Sequence, residues 1–244
     1  MQFAAKTDTG KLRERNEDRY YFDTQLQLFA IADGMSGHES GDVASLIALE
    51  IIQEWAKTQA SPQSDLGPMK RLAVLTELAE EANQRIYTEA ENSGKARGMG
   101  TTLIAGFVTF SYLTYVHVGD SRLYVLRDGK ITQITTDDTF VQKMVEKGEI
   151  TPEESRVHEK RNIVTQAVGL MPTVTVSADA YPLGPGDIVL ACTDGLHDMI
   201  VDDNEIAEII TTARTIEEAA ENLVNTALYY GGTDNVTVLL FAID

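Results

Sequence analysis

Four apolar, strand-like runs in this chain either end on an aspartate or start just after one, and that pattern restricts how the chain can fold. Leu28-Phe29-Ala30-Ile31-Ala32 leads into Asp33-Gly34, and Ile188-Val189-Leu190-Ala191-Cys192-Thr193 leads into Asp194-Gly195. Tyr115-Val116-His117-Val118-Gly119 ends on Asp120, whereas Gly231-Gly232-Thr233-Asp234-Asn235 opens the run Val236-Thr237-Val238-Leu239-Leu240-Phe241. A strand buries its middle and presents its end, so a side chain at the tip is held rigidly and can still meet a ligand. Carboxylates gathered at one sheet edge repel and take up protons unless a cation neutralises them. Oxygen-only donors suit hard divalent ions such as magnesium or manganese. The pattern therefore points to a metal-dependent active site, although Asp-Gly after any single strand also reads as a plain turn.

At 244 residues the chain fits one large domain with a substantial core. Its 43% hydrophobic and 24% charged content is that of an ordinary globular protein. A formal charge of −18 argues against binding nucleic acid or an anionic membrane surface. The one cysteine, Cys192, excludes an internal disulfide and suggests a reducing compartment. Met1 to Arg15 lacks the apolar core of a signal peptide, and no stretch approaches a membrane span. The expectation is a free-standing, monomeric cytoplasmic domain.

Residues 2–9 alternate weakly, as an edge strand would, and Arg19–Asp23 with Gln27–Ala32 reads as a hairpin. After Gly41 the period changes: Ala44, Ile47, Ala48, Ile51, Ile52 and Trp55 mark an amphipathic helix. Ser61 to Pro68 reads as a loop. A second helix carries Leu72, Leu75, Ala79, Ala82 and Ile86 on one face and ends at Asn92-Ser93-Gly94. Strands are expected over Thr101–Thr109, Tyr112–Val118 and Arg122–Arg127, with Asp128-Gly129 turning into Ile131–Ile134. Asp138–Gly148 is helix-like, and a polar stretch, Glu149–Asn162, follows. Strands are expected again over Thr173–Ala180 and Asp187–Thr193, then helices over Asn204–Ala213 and Ile216–Tyr229, and a closing strand over Val236–Ile243. Hairpins with helices in pairs favour α+β layers over a doubly wound parallel sheet.

Asp33, Asp194 and Asp234 form the first candidate constellation. Gly34 lets the backbone approach closely, so its carbonyl can face a metal. Arg13 sits in Arg13-Glu14-Arg15-Asn16-Glu17-Asp18, which reads either as a solvated charged turn or as an arm that grips phosphate with a planar fork. Asp18 or Glu17 could then orient metal water. A cysteine inside an apolar strand suits the core better than nucleophilic catalysis. The chain has no Walker lysine loop, no Gly-x-Ser-x-Gly elbow and no His-Glu-x-x-His helix. Gly98-Met99-Gly100-Thr101-Thr102 reads as a turn entering a strand. His117 reads as core and His197 as a cap after Asp194-Gly195, while His38 and His158 lie in polar contexts.

Arg13-x-x-Asn16-Glu17-Asp18, Ala32-Asp33-Gly34-Met35-Ser36-Gly37-His38 and Gly100-Thr101-Thr102 resemble motifs of the metal-dependent protein phosphatases of the PPM (protein phosphatase type 2C) family. So do Val118-Gly119-Asp120-Ser121-Arg122, Thr193-Asp194-Gly195-Leu196 and Gly232-Thr233-Asp234-Asn235-Val236-Thr237. They follow the family's order over nearly the whole chain, in the form of its bacterial, free-standing branch. The resemblance implies a four-layer α-β-β-α sandwich over 1–244, two antiparallel sheets flanked by helix pairs, with a flap at about 139–168. It implies two core manganese or magnesium ions, with Asp33 bridging them and the Gly34 carbonyl, Asp194 and Asp234 completing the set. A third ion would use Asp120 with Asp194. Arg13 would bind the substrate phosphate, Asp18 would support the metal water, and His158 would be the flap histidine.

Met35 stands where animal relatives place a histidine proposed as general acid, so the leaving group needs another donor. Water on the third ion or His158 could serve. Ser36 replaces a usual second glycine, and His158-Glu159 replaces the common His-Pro of the flap. The activity implied is hydrolysis of phosphoserine and phosphothreonine in proteins by metal-activated water, without a covalent intermediate. Two alternatives are a catalytically silent module that captures phosphoproteins and a small-molecule phosphomonoesterase.

Overall fold

In the computed structural model, which describes residues 1–35, 40–59, 67–93 and 98–244, the apolar runs pair into two antiparallel sheets. Ser36, Gly37, His38, Gly94 and residues 61–66 of the expected loop lie outside the described residues. The first sheet has the order β1-β11-β10-β7-β8. It is built from β1 (Gln2–Asp8), β7 (Arg122–Arg127), β8 (Lys130–Gln133), β10 (Ile188–Cys192) and β11 (Val236–Ala242). The second has the order β2-β3-β5-β6-β9, with β4 added beside β3. Its strands are β2 (Asp18–Asp23), β3 (Leu28–Met35), β4 (Gly100–Thr101), β5 (Leu103–Val108), β6 (Tyr112–Val118) and β9 (Ser177–Pro182).

Period-2 alternation sorts each strand's side chains into two layers. Phe29, Ile31 and Ile104 of the second sheet meet Val125, Leu239 and Phe241 of the first, and all six are buried between the sheets. The Phe29 and Phe241 ring centres lie 5.0 Å apart. Leu28, Ala30 and Ala32 face the other way, onto α1 (Gly41–Thr58) and α2 (Pro68–Ser93). On the opposite side Leu190, Cys192, Val238 and Leu240 pack under α6 (Asp203–Thr212) and α7 (Ile216–Tyr229). The result is the expected four-layer α-β-β-α arrangement. Among the described residues no helix is long and apolar enough to cross a membrane.

Several boundaries differ from the sequence expectation for local reasons. Pro68, expected in a loop, opens α2, a position where its missing N–H costs nothing. The strand expected over Thr101–Thr109 breaks at Thr102, whose N–H, with the Thr101 hydroxyl, bonds to the Asp33 carbonyl. Helix α3 (Phe140–Glu146) starts after its Thr139 cap, because Asp138 is already tied to Gly119 through N–H and side chain. The polar stretch 149–162 contains a short helix, α4 (Pro152–Arg156), closed by a Thr151–Glu154 capping box. Strand β9 begins at Ser177 rather than Thr173: Val174 and Val176 do pack on the core, but the Thr175 N–H goes to the Gln166 side chain. The Asp128-Gly129 turn is as expected, with φ of 52° and 75°.

Candidate metal centre

The antiparallel order brings the strand tips to one end of the sandwich. Asp33 lies near the end of β3, in register with Asp18 at the start of β2. Asp120 follows β6, Asp194 follows β10 as the first residue of the short helix α5 (Asp194–His197), and Asp234 precedes β11. Asp33, Gly34, Asp120, Asp194 and Asp234 all line one cavity of about 420 Å³, with Arg13 on its wall. A side chain at Gly34 is impossible there: its Cβ would stand 2.1 Å from the Gly41 carbonyl oxygen, where β3 meets α1.

Carboxylates outnumber cations in this cavity: Glu14, Glu17, Asp33, Asp120, Asp194 and Asp234 line it with Arg13 and Arg15. Burial, then Asp18, Asp194, Asp120 and Asp234, hold the Asp33 carboxyl well above the usual range. Burial, then Asp120, Asp234, Asp198 and Asp18, do the same to Asp194. Burial also pushes Asp120 up to about 7, with Asp137 adding to it. Asp194 Oδ1 and Asp18 Oδ1 are buried without a hydrogen-bond partner. Such oxygens are costly unless a cation or proton meets them. The donor set is oxygen throughout, which fits magnesium or manganese. Among the described residues, no three histidine, cysteine, aspartate or glutamate side chains close into a ready-made cage for one ion.

Asp18 stands behind the cavity and joins the two sheets. Its Oδ2 accepts from the Thr193 hydroxyl at 2.9 Å and the Thr237 hydroxyl at 2.7 Å. Thr193 Oγ1 in turn accepts the Thr237 N–H. Because Thr237 gives its one hydroxyl proton to Asp18, Thr7 Oγ1, which also accepts from Asn16 Nδ2, donates to Thr237 Oγ1, 2.7 Å away. Burial pushes Asp18 up to about 6 against these bonds. Thr237→Val should therefore destabilise the fold at pH 8 by about 1.5–3 kcal/mol, the worth of a hydrogen bond to a charged group. Thr237→Ser should recover most of it. Urea denaturation of the three proteins checks this, and an undiminished midpoint in Thr237→Val would contradict the assignment.

Asp120 is fixed from below. His197 Nε2 lies 3.1 Å from the Asp120 carbonyl oxygen, which can only accept, so that nitrogen carries the proton. Burial pushes His197 down to about 3 and keeps it neutral. His197 is thus a buried strut rather than a helix cap. Arg122 grips Asp137 with two nitrogens, at 3.0 and 2.7 Å.

The remaining candidates separate. Arg13 donates from Nη2 to Asp234 Oδ2 at 2.6 Å and stands at the cavity wall. Glu17 lines the cavity too. His158 lines neither this cavity nor the adjoining one, and its Nδ1 accepts the Lys160 N–H at 3.1 Å. Cys192 and His117 are buried, as expected. Asp198 and Asp137 escaped the sequence reading, and Thr102 and Asn235 entered it only as members of motifs, without a role. Asp198 adds its charge to Asp194 from one helical turn further on, a spacing that could have flagged it. Asp137, Thr102 and Asn235 act across the fold, and nothing local announces their partners.

A family model described as protein phosphatase 2C matches residues 13–229. The serine/threonine protein phosphatase PstP of Mycobacterium tuberculosis is 40% identical over 246 residues, covering 98% of this chain and 44% of the relative. The chain therefore spans less than half the length of those PstP relatives. The serine/threonine phosphatase stp of Listeria monocytogenes is 35% identical over 244 residues, covering 98% of this chain and 95% of the relative. A crystal structure of the PstP catalytic domain in complex with two manganese ions superposes with a TM-score of 0.82 at 37% identity, covering 98% of this chain and 96% of that one.

Proposed function

This chain belongs to the protein phosphatase 2C family, and from that membership we propose that it hydrolyses phosphoserine and phosphothreonine in proteins with bound manganese or magnesium. The observation that carries the proposal is the convergence of Asp33, Asp120, Asp194 and Asp234 on one cavity, with a buried Asp194 oxygen left without a partner. Asp33, the Gly34 carbonyl, Asp194 and Asp234 would hold two core ions, and Asp120 with Asp194 a third. Bound ions lower the pKa of water and neutralise charge on a phosphoryl oxygen.

The chain's own groups do the rest. Arg13 grips the phosphate with its planar fork. Asp18, held by Thr193 and Thr237, keeps Asp33 in place and orients the attacking water. Water attacks the phosphorus directly, without a covalent intermediate, because the lining carboxylates are committed to the ions. Residues 139–168 serve as a flap that admits a protein segment, and His158, outside the cavity, meets substrate rather than the leaving oxygen. The protein works as a monomer in a reducing cytoplasm, to which the buried, unpaired thiol of Cys192 is suited.

Loss of Arg13 should raise KM by about 10- to 100-fold and change kcat less, since the fork binds ground and transition states alike. Steady-state kinetics of Arg13→Ala on a phosphothreonine peptide measures both, and a pure kcat loss would contradict the role. A panel of phosphopeptides against phosphorylated metabolites tests the substrate class: a kcat/KM that favours metabolites would favour a small-molecule phosphomonoesterase.

A further inference from the structure

One amide makes three of the hydrogen bonds that fasten the loop carrying Arg13 to the turn carrying Asp234. Asn235 is 5% exposed. Its Oδ1 accepts the Glu17 N–H at 2.8 Å. Its Nδ2 donates to the Thr9 carbonyl at 2.8 Å and to the Arg15 carbonyl at 2.9 Å. Both amide protons and the oxygen are thus committed, and the three contacts fall on both sides of Arg13 in sequence. Lys11 adds a bond from its N–H to the Gly232 carbonyl, at 2.7 Å, and Arg13 Nη2 adds another to Asp234 Oδ2, at 2.6 Å. At Gly10, with φ of +78°, a Cβ would stand 2.1 Å from the Asp234 carbonyl oxygen, so loop and turn are in direct contact.

We propose that Asn235 is a positioning residue for substrate phosphate: it sets the reach of Arg13 by clipping the loop of residues 9–17 to the turn before β11. The proposal rests on Arg13 being the phosphate arm. Arginine's long side chain holds a phosphate well only when its backbone is fixed, because a loosely held arm loses its grip with small displacements. Asn235 borders the cavity, but its amide is committed to the loop, so it acts through Arg13.

A double-mutant cycle with a phosphothreonine peptide tests this, using Asn235→Ala, Arg13→Ala and the pair. Asn235→Ala should raise KM about 5- to 20-fold, with kcat changed less than threefold. In the Arg13→Ala background it should add less than about twofold, since the arm it positions is gone. Asn235→Asp, equal in size, should be at least as damaging, because its second oxygen would face the Thr9 and Arg15 carbonyls; a role based on volume alone would spare it. The manganese Kd by calorimetry should stay within about twofold in Asn235→Ala, because Asp234 keeps its own place before β11. KM effects that multiply fully with those of Arg13→Ala, or a manganese Kd that weakens in step with KM, would overturn the proposal and leave the phosphatase reading standing. An Arg13→Ala protein with unchanged KM would sink the phosphate arm itself. Should Asn235→Ala fail to fold, Asn235→Asp carries the same cycle.

Discussion

Replacing Asp194 by alanine should abolish divalent-ion-dependent phosphate release, by at least about a thousandfold, while the chain keeps its fold. The size follows from the several kcal/mol of transition-state charge stabilisation that a metal supplies. The survival of the fold follows from the electrostatics. Asp194 is held far above its ordinary pKa by burial and by Asp120, Asp234, Asp198 and Asp18, and its Oδ1 has no partner. In ion-free protein its removal takes away repulsion and breaks no hydrogen bond of that oxygen. The thermal midpoint of ion-free Asp194→Ala should therefore match or exceed that of the parent, whereas the rise on adding manganese should shrink. Undiminished turnover in the variant would end the metal mechanism. A collapsed circular dichroism spectrum would show instead that Asp194 is structural.

Removing the ions should make stability fall as pH rises, and adding them back should reverse the trend. Asp120 is pushed up to about 7, and Asp33 and Asp194 are held well above 3.8. The unfolded chain has lost these protons by about pH 5. From there up to the folded pKa values the native state binds more protons than the unfolded one, so each group that still holds its proton removes about 1.4 kcal/mol of stability per pH unit. Buried His117 and His197, both lowered, act in the opposite sense only while unfolded histidine is protonated, up to about pH 7. Measured between about pH 6 and 7 by urea denaturation in chelator, where Asp120 still holds most of its proton, the ion-free protein should thus lose stability with rising pH. Manganese, taking the place of the protons, should stabilise more at the alkaline end. An ion-free protein that grows more stable across that window would contradict this picture of the carboxylates.

The strand tips were legible because strands buried on both faces read as continuous apolar runs, and a run stops where the strand meets solvent. Asp33, Asp120, Asp194 and Asp234 each sit at such a stop, and the sheet order then does the gathering. The arginine-rich segment at residues 13–18 admitted two readings, because a charged turn and a phosphate arm look the same in sequence; the cavity wall is where it stands. Links made by single side chains across the chain left no trace. Asp18 to Thr237, Asn235 to Arg15 and Asp33 to Thr102 join residues far apart, and no local period reports a hydroxyl or amide that bonds across the fold. Val174 and Val176 misled the start of β9 for a related reason: core packing gives an apolar alternation whether or not the backbone pairs.

Phosphate released from a phosphothreonine peptide by the purified chain, with manganese and then with chelator, addresses the metal-dependent phosphatase assignment most directly. Turnover should require the ion, return when manganese or magnesium is restored, and vanish in Asp33→Asn. Turnover that persists in chelator would contradict the assignment, as would tight peptide capture without phosphate release in the presence of manganese.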